Sequence, residues 1–207
     1  MNLAVVGHPS TLVDAILEQA AARGISAECV ASLHHADDFD CVAFDLPSTD
    51  ESVLLDDAAD FSGITARIDA DLIRFLAEIR NASVALARRG GGKIFVLTQE
   101  DSASYYLTVP QSPIASRSRI AAAKSLAKEV FRMGVAINVL DVQSFAEQAS
   151  ESAWIAARAD LKAYALRFHP VTAAAVARAV VGLCEMDCRC FAGMVIPVGV
   201  GFPEGNL

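Results

Sequence analysis

Short apolar runs alternate along the chain with segments in which apolar residues recur at helical spacing. The first run, Leu3 to Val6, ends at Gly7, and Leu12 to Ala22 then repeats apolar residues every three or four positions. This order predicts a strand, a tight turn and a helix. The same alternation predicts further strands at 26–31, 41–44, 94–97, 135–142 and 194–200, and helices at 71–88, 112–130 and 172–184.

Strands that alternate with helices form parallel sheets, because parallel neighbours need crossover connections, and these are right-handed. We therefore predict one α/β domain over residues 1–207, with a Rossmann-like, doubly wound parallel sheet between two helical layers. The second and third predicted strands are too close in sequence for a full crossover helix between them. Residues 143–169 match no sheet element, and we expect them to lie as a flap over the C-terminal edge of the sheet.

The charge of the chain excludes some classes of partner. Its formal net charge is −8, and 54% of its residues are hydrophobic. An acidic chain has no broad positive field for nucleic acid or for an anionic membrane, so we expect neither partner. No apolar stretch is long enough to span a membrane, and the first residues lack a signal-peptide pattern, so we expect a soluble, cytoplasmic protein.

Five cysteines form an odd set that favours reduced thiols over a disulfide framework. Cys184, Cys188 and Cys190 are close together, but their spacing contains no paired CxxC motif and no histidine is near them in sequence. We therefore expect no metal site, and thiols at the end of a helix are the simpler interpretation.

Several segments occur in the order and spacing of the short-chain dehydrogenases/reductases. They are VVGHPSTLVDAILEQAAARG, FDCVAFDLPS, DLIRFLAEIRNASVALARRGGGKIFVLTQ, SPIASRSRIAAAKSLAKEV, GVAINVLDV and FAGMVIPVGVG. The sequence most resembles the β-ketoacyl-acyl-carrier-protein reductases of that family. The resemblance covers nearly the whole chain, with an apparent deletion around residues 32–38, where family members carry a further helix and strand. It implies the three-layer Rossmann-like fold in a shortened form.

The cofactor turn of the family is not retained. Of the glycines in TGxxxGxG, which let a pyrophosphate approach a helix N-terminus, only the first has a match, at Gly7. Thr11 and Val13 stand at the other two positions, and Ser10 stands where a basic residue often binds the extra phosphate of NADPH. We expect these side chains to crowd the phosphate.

Two further cofactor elements are also replaced. Phe44 and Asp45 stand in the Asn-Asn-Ala-Gly element, where we expect them to oppose an anionic dinucleotide by volume and by charge. Asp45 is also explained as the cap of the following turn. Val142 and Gln143 replace the Pro-Gly that supports the nicotinamide. The resemblance therefore predicts no bound cofactor.

The four side chains of the family's catalytic site are absent as well. Its asparagine, serine, tyrosine and lysine positions are occupied by Asp71, Gln99, Ser112 and Ser116. A serine hydroxyl is too weak an acid to replace a lysine-tuned phenol in proton transfer to a carbonyl. The alternative is a relocated acid at Tyr105 or Tyr106, residues that also suit packing under a loop.

The family's helices at 71–88 and 112–130 form a four-helix interface between subunits. Here both helices keep apolar or small residues, which we expect either to pack on a neighbouring subunit or to face the protein's own sheet. The interface candidates are Phe75, Ile79, Leu86, Ala115, Ala122 and Leu126.

Three functions remain open from the sequence. The first is a catalytically inactive reductase-like protein that assembles with itself or with an active ketoreductase in a fatty-acid-like or polyketide pathway, and that helps to dock an acyl carrier protein. The second is a divergent NADPH-dependent ketoreductase that uses Tyr105 or Tyr106. The third is an acyl or small-molecule binding module whose pocket is the vacated cleft.

Overall fold

The computed structural model describes residues 1–33, 38–55, 60–100, 107, 109–161, 170–187 and 191–199. These residues form a six-stranded parallel sheet with strand order β2-β1-β3-β4-β5-β6. The strands are β1 (Asn2–Gly7), β2 (Ser26–Val30), β3 (Cys41–Asp45), β4 (Gly92–Gln99), β5 (Val135–Val142) and β6 (Val195–Val198). The helices are α1 (Thr11–Ala22), α2 (Phe61–Arg88), α3 (Pro113–Val130), α4 (Glu151–Leu161) and α5 (Ala173–Glu185).

Helices cover the sheet on both faces, which confirms the predicted doubly wound α/β fold. Because successive strand residues point to opposite faces, Val5 and Leu97 pack with α1 and α5, whereas Val6 and Val96 pack with α2 and α3. The strand order reverses direction between β1 and β3, and this switch point opens a crevice at the carboxyl ends of the strands.

The connection between β2 and β3 is short, as the sequence indicates. It spans residues 31–40, and its described part contains no α-helix or strand. The chain therefore has a shortened form of the fold. None of the described helices combines the length and hydropathy needed to span a bilayer.

Helix α2 begins ten residues earlier than its apolar spacing predicts. Asp60 accepts a hydrogen bond from the Gly63 amide at 3.0 Å and caps the helix. Ile64 and Ile68, four positions apart, are buried in this first part of the helix. The predicted start at Asp71 is wrong because these few apolar residues are separated by polar ones.

Most of the predicted interface residues lie inside the chain instead. Phe75, Ile79 and Leu86 are at most 1% exposed and pack between α2 and the sheet, and Ala115 is 3% exposed. The prediction that these four residues contact a partner is therefore wrong. Ala122 and Leu126 of α3 are half-buried at the edge of the same core.

A different set of α2 residues is apolar and exposed. Ile73 is 67% exposed, Leu76 is 43% exposed and Val84 is 40% exposed. Helix α2 therefore has a second apolar side, formed by residues other than the interface candidates. We call the solvent-facing side of α2 and α3 the outer face.

Candidate functional site

A cleft of about 270 Å³ lies at the C-terminal edge of the sheet. The ends of β3, β4 and β5 form its floor, and the N-terminal ends of α1 and α3 form its sides. Gln143, Phe145 and Gln148, from the segment predicted to be a flap, line another part of the cleft, as do residues 46–48 and Pro110. This is the edge where doubly wound sheets bind their ligands, so the cleft is the candidate site.

Two of the four residues that align with the family's catalytic positions hold a loop. Asp71 accepts hydrogen bonds from the Thr49 amide at 2.7 Å and from the Thr49 hydroxyl at 2.8 Å. The Ser112 hydroxyl donates to the Thr49 carbonyl at 2.7 Å. The amide and hydroxyl of Thr49 are thus hydrogen-bonded by a side chain of α2, and its carbonyl by the side chain that precedes α3. We call this arrangement the Thr49 clamp, and it anchors the loop of residues 46–51 that follows β3.

Glu51 fixes the same loop to the N-terminus of α3. Its side chain accepts from the Ile114 amide at 2.6 Å and from the Ala115 amide at 2.9 Å, and the residue is 5% exposed. Ser112 precedes the helix but makes no capping bond, since its hydroxyl is used on Thr49. The carboxylate therefore satisfies the first amides of α3 and favours its helix dipole. Sequence analysis missed Glu51, because no local pattern links it to a helix 63 residues away.

The other two of these aligned residues, Gln99 and Ser116, face the cleft, which Ser112 also borders. Gln99 ends β4, and Ser116 lies one turn into α3 at 5% exposure. The side chain of neither residue hydrogen-bonds to another described residue. The four positions therefore divide into two that hold the loop and two that offer uncharged hydrogen-bonding groups to a ligand.

Arg119 lies under the loop and also borders the cleft. Its terminal nitrogens donate to the carbonyls of Leu46 and Pro47, both at 2.8 Å, and its guanidinium carbon is 5.7 Å from the centre of the Phe75 ring. Burial lowers the pKa of Arg119, while the charges of Asp71 and Asp45 oppose that shift. Sequence analysis missed this residue, whose hydrogen-bond partners Leu46 and Pro47 are more than 70 positions away along the chain.

Gly7 is explained by packing between two strands. A Cβ at this position would lie 2.4 Å from the Asp45 carbonyl oxygen, which a real side chain cannot do. The glycine is therefore required by the close approach of β1 to the end of β3. Nucleotide binding is not needed to explain a glycine at this position.

Ser10 and Asp45 meet at the N-terminus of α1. The Ser10 hydroxyl accepts from the Val13 amide at 3.1 Å and lies 3.4 Å from an Asp45 carboxylate oxygen. Burial raises the pKa of Asp45, and the Ser10 hydrogen bond and the Arg119 charge oppose that rise. A carboxylate thus stands where the resemblance would place phosphate.

Thr11 and Val13 of the cofactor turn, and Phe44 at the end of β3, do not border the cleft. Thr11 is exposed, Val13 is fully buried beside α5, and Phe44 is 1% exposed with its ring edge-to-face on Phe75 at 6.2 Å. The expectation that Phe44 opposes a dinucleotide by volume is wrong, because its ring fills the core. Val13 and Phe44 leave the cleft open.

Some sequence candidates lie outside the described residues. These are Tyr105, Tyr106, Cys188 and Cys190. Within the described part of the chain, Cys29, Cys41 and Cys184 are free thiols, and no cluster of histidine, cysteine and acidic side chains is arranged to hold a metal ion.

Comparison with known proteins supports the fold. No protein-family model matches the sequence, and no curated protein is significantly similar to it. The TT0495 protein from Thermus thermophilus superimposes with a TM-score of 0.71 at 15% identity, over 98% of this chain and 99% of that one. A protein assigned as a 3-oxoacyl-reductase from Bacillus thuringiensis superimposes with a TM-score of 0.63 at 14% identity, over 96% of both chains. The chain therefore has a fold similar to that of a reductase of this type.

Proposed function

We propose that this protein is a ketoacyl-reductase-like scaffold that performs no hydride transfer. It would assemble with an SDR-type ketoreductase or with its own copies, and it would help to dock an acyl carrier protein. The Thr49 clamp carries the proposal, because Asp71 and Ser112 serve there as structural groups that hold a loop. Neither residue retains the side chain that the reductase reaction needs at its position.

The cleft also argues against a dinucleotide. Its volume of about 270 Å³ is below the range of about 300–1,000 Å³ that is typical of sites for smaller ligands. The only carboxylate among its described lining residues is that of Asp45, which opposes phosphate at the N-terminus of α1.

A thermal-unfolding titration with NADPH tests the missing cofactor. A ligand present at about 100 times its Kd stabilises a protein by about 2.7 kcal/mol, which for a chain of this size raises Tm by roughly 5–10 °C. We expect no rise, whereas a ketoreductase with an intact Tyr-Lys pair should show one. A clear rise for this protein would contradict the proposal.

The outer face supports assembly. Ile73, Leu76 and Val84 expose apolar side chains on one side of α2, and the described part of the chain does not cover them. Co-expression with an SDR-type ketoreductase followed by size-exclusion chromatography tests this. We expect a complex that Leu76→Asp disrupts and that Ile155→Asp leaves intact, since Ile155 is 58% exposed on α4. A monomer that forms no complex with any of the ketoreductases tested would refute assembly.

The open cleft supports a second candidate, a small-molecule binding module. Gln99 and Ser116 present uncharged polar groups, and Leu97, Val142 and Phe145 supply apolar wall. Saturation-transfer NMR with pentanamide, pentanoate and pentylammonium should favour the uncharged amide. Ser116→Ala should weaken its binding roughly three- to tenfold by removing one hydrogen bond, and Ser125→Ala on the exposed side of α3 should not. Equal binding of all three probes would exclude this candidate.

A further inference from the structure

Two buried thiols from distant parts of the chain meet at the edge of the sheet where the strands begin. Cys41 is the first residue of β3, and Cys184 is the last residue but one of α5. Their exposed fractions are 1% and 0%. The Cys41 thiol donates a long hydrogen bond to the Cys184 carbonyl oxygen at 3.9 Å. The pair therefore lies at the opposite edge of the sheet from the cleft.

Lys93 brings a positive charge to this pair. It is the partner of Cys41 in the parallel pairing of β3 with β4, so the two side chains lie on the same face of the sheet. The Lys93 ammonium donates to the carbonyls of Cys184 and Met186 at the end of α5. A cation at this position satisfies free carbonyls and is favoured by the helix dipole. The same bonds hold the positive charge beside the thiols.

These contacts make Cys41 more acidic than an ordinary cysteine. A hydrogen bond from the Cys184 thiol lowers the pKa of Cys41, and the charges of Lys93 and of the N-terminal amine also lower it. Burial and the Asp40 carboxylate oppose this fall in pKa but do not cancel it. The thiolate is the nucleophilic form of cysteine, and buried cysteines are usually inert because apolar surroundings keep them protonated. Cys41 therefore combines a nucleophilic sulfur with a neighbouring thiol.

Cys29 provides a contrast within the same protein. It lies on β2 and is more exposed than Cys41. Burial and the charges of Asp45 and Asp14 raise the pKa of Cys29. If exposure alone decided reactivity, Cys29 would be oxidised before Cys41. If thiolate character decides it, the order is reversed.

We propose that Cys41 and Cys184 form a redox-active dithiol that a hydroperoxide converts to a disulfide. The Cys41 thiolate attacks one peroxide oxygen, the O–O bond breaks, and the other oxygen leaves as hydroxide or alkoxide and takes up a proton. The Cys184 thiol then loses its proton and attacks the sulfur of the Cys41 sulfenic acid, so that the S–S bond forms, the S–O bond breaks and water leaves. The two sulfurs lose two electrons and the peroxide gains them. This reaction needs neither the cleft nor a partner protein, so it goes beyond the proposed function.

The end of α5 controls access to the pair. Cys184 lies in the last turn of its helix, and such terminal turns open at a lower free energy than a whole domain. Opening must release Lys93 from the two carbonyls and break the ion pair of Arg23 with Glu185. Hydrogen peroxide is small enough to reach Cys41 through such an opening. Once formed, the disulfide fixes the last turn of α5 to β3.

Peptide mapping of the full-length protein tests the inference without any substitution. The reduced protein is treated with hydrogen peroxide, its remaining thiols are blocked with N-ethylmaleimide, and the disulfide is located by mass spectrometry. We expect a linkage of Cys41 to Cys184 that dithiothreitol reverses by thiol–disulfide exchange. The oxidised protein should have a Tm roughly 4–12 °C higher, because the linkage restricts the unfolded chain.

Rates and variants assign the first step to Cys41. Near neutral pH, peroxide should modify Cys41 at least about fivefold faster than Cys29, and the rate should reach half its maximum below the ordinary thiol pKa of about 8.5. In Cys184→Ala, dimedone should trap a sulfenic acid at Cys41, because no neighbouring thiol removes it. Cys41→Ala should leave Cys184 unlinked. Cys29→Ala is the matched control and should form the same disulfide at the same rate as the parent.

Three results would overturn the inference. In the first, Cys41 and Cys184 stay unmodified at a peroxide concentration that oxidises Cys29. In the second, Cys41 is oxidised to a sulfinic acid without linkage to Cys184. In the third, the disulfide joins Cys188 or Cys190 to another cysteine and leaves Cys41 reduced. Each of these results would make the pair ordinary core residues and would leave the proposed function unaffected.

Discussion

Replacement of Glu51 should destabilise the whole protein through one helix terminus. The carboxylate is 5% exposed and accepts from two consecutive amides, at 2.6 Å from Ile114 and 2.9 Å from Ala115. Ser112 makes no capping bond that could take over. In Glu51→Ala both amides lose their acceptor, and in Glu51→Gln one oxygen remains while an NH2 group faces the second amide.

The size of the effect follows from these contacts. Loss of a helix cap costs about 0.5–2 kcal/mol, and a hydrogen bond to a charged group contributes about 1.5–3 kcal/mol. Because water can reach part of the freed terminus, we expect a loss of about 2–3 kcal/mol for Glu51→Ala and about 1–2 kcal/mol for Glu51→Gln. For a chain of about 200 residues, the larger loss lowers Tm by roughly 4–12 °C.

Urea unfolding followed by circular dichroism measures the change directly. Glu129→Ala is the matched control, because Glu129 is exposed on the same helix, and it should stay within about 0.5 kcal/mol of the parent. A loss below about 0.5 kcal/mol for Glu51→Ala would mean that the carboxylate does not hold α3, and the account of the loop would be wrong.

Three further substitutions test separate parts of the structure. Phe75→Ala should cost about 3–5 kcal/mol in urea unfolding, whereas the exposed Ile73→Ala should cost less than about 0.5 kcal/mol; similar costs would contradict the corrected assignment of the two faces of α2. Gly7→Ala should lower the free energy of unfolding by about 1–3 kcal/mol, because its new Cβ would lie 2.4 Å from the Asp45 carbonyl oxygen. An unchanged Tm would show that β1 and β3 can move apart without loss of stability. Asp45→Asn should raise Tm at neutral pH, because burial raises the pKa of Asp45 and makes its charged form unfavourable in the folded state. The folded protein with Asp45 loses stability as pH rises from the ordinary aspartate pKa to the raised one, so the higher Tm of Asp45→Asn should disappear at acid pH. A Tm difference that grows on acidification would refute the raised pKa of Asp45.

Much of the fold could be predicted because burial sets the period of apolar residues. The strand at 135–142 is buried at every position and was predicted with the observed bounds. Helix α5 was placed within one residue at each end, with Thr172 accepting from the Ala175 amide as its cap. The start of α2 was missed because its apolar residues, Ile64 and Ile68, are few and separated by polar ones.

The apolar residues of α2 lie on two sides of the helix, and their spacing in the sequence does not tell which side is internal. Phe75 and Leu86 face the sheet, and Ile73 and Leu76 face outward. The choice depends on how the helix is rotated against the sheet, which is decided by packing with residues far away in sequence. Interface candidates chosen by size and hydrophobicity were therefore mostly core residues.

The resemblance to the reductase family did not predict the contacts of the residues at its catalytic positions. Two of these residues, Asp71 and Ser112, bond to a single residue, Thr49. That convergence depends on the path of the loop after β3. Contacts of this kind link positions 22 to 73 residues apart, for which one sequence contains no local pattern.

The Thr49 clamp also constrains how the sequence can change. A tyrosine at position 112 would remove the hydroxyl that donates to the Thr49 carbonyl, while an asparagine at position 71 would weaken the acceptor of two bonds. Either change alone should therefore loosen the loop that follows β3. At both positions, the side chain that the reductase family carries would therefore lower the stability of this protein.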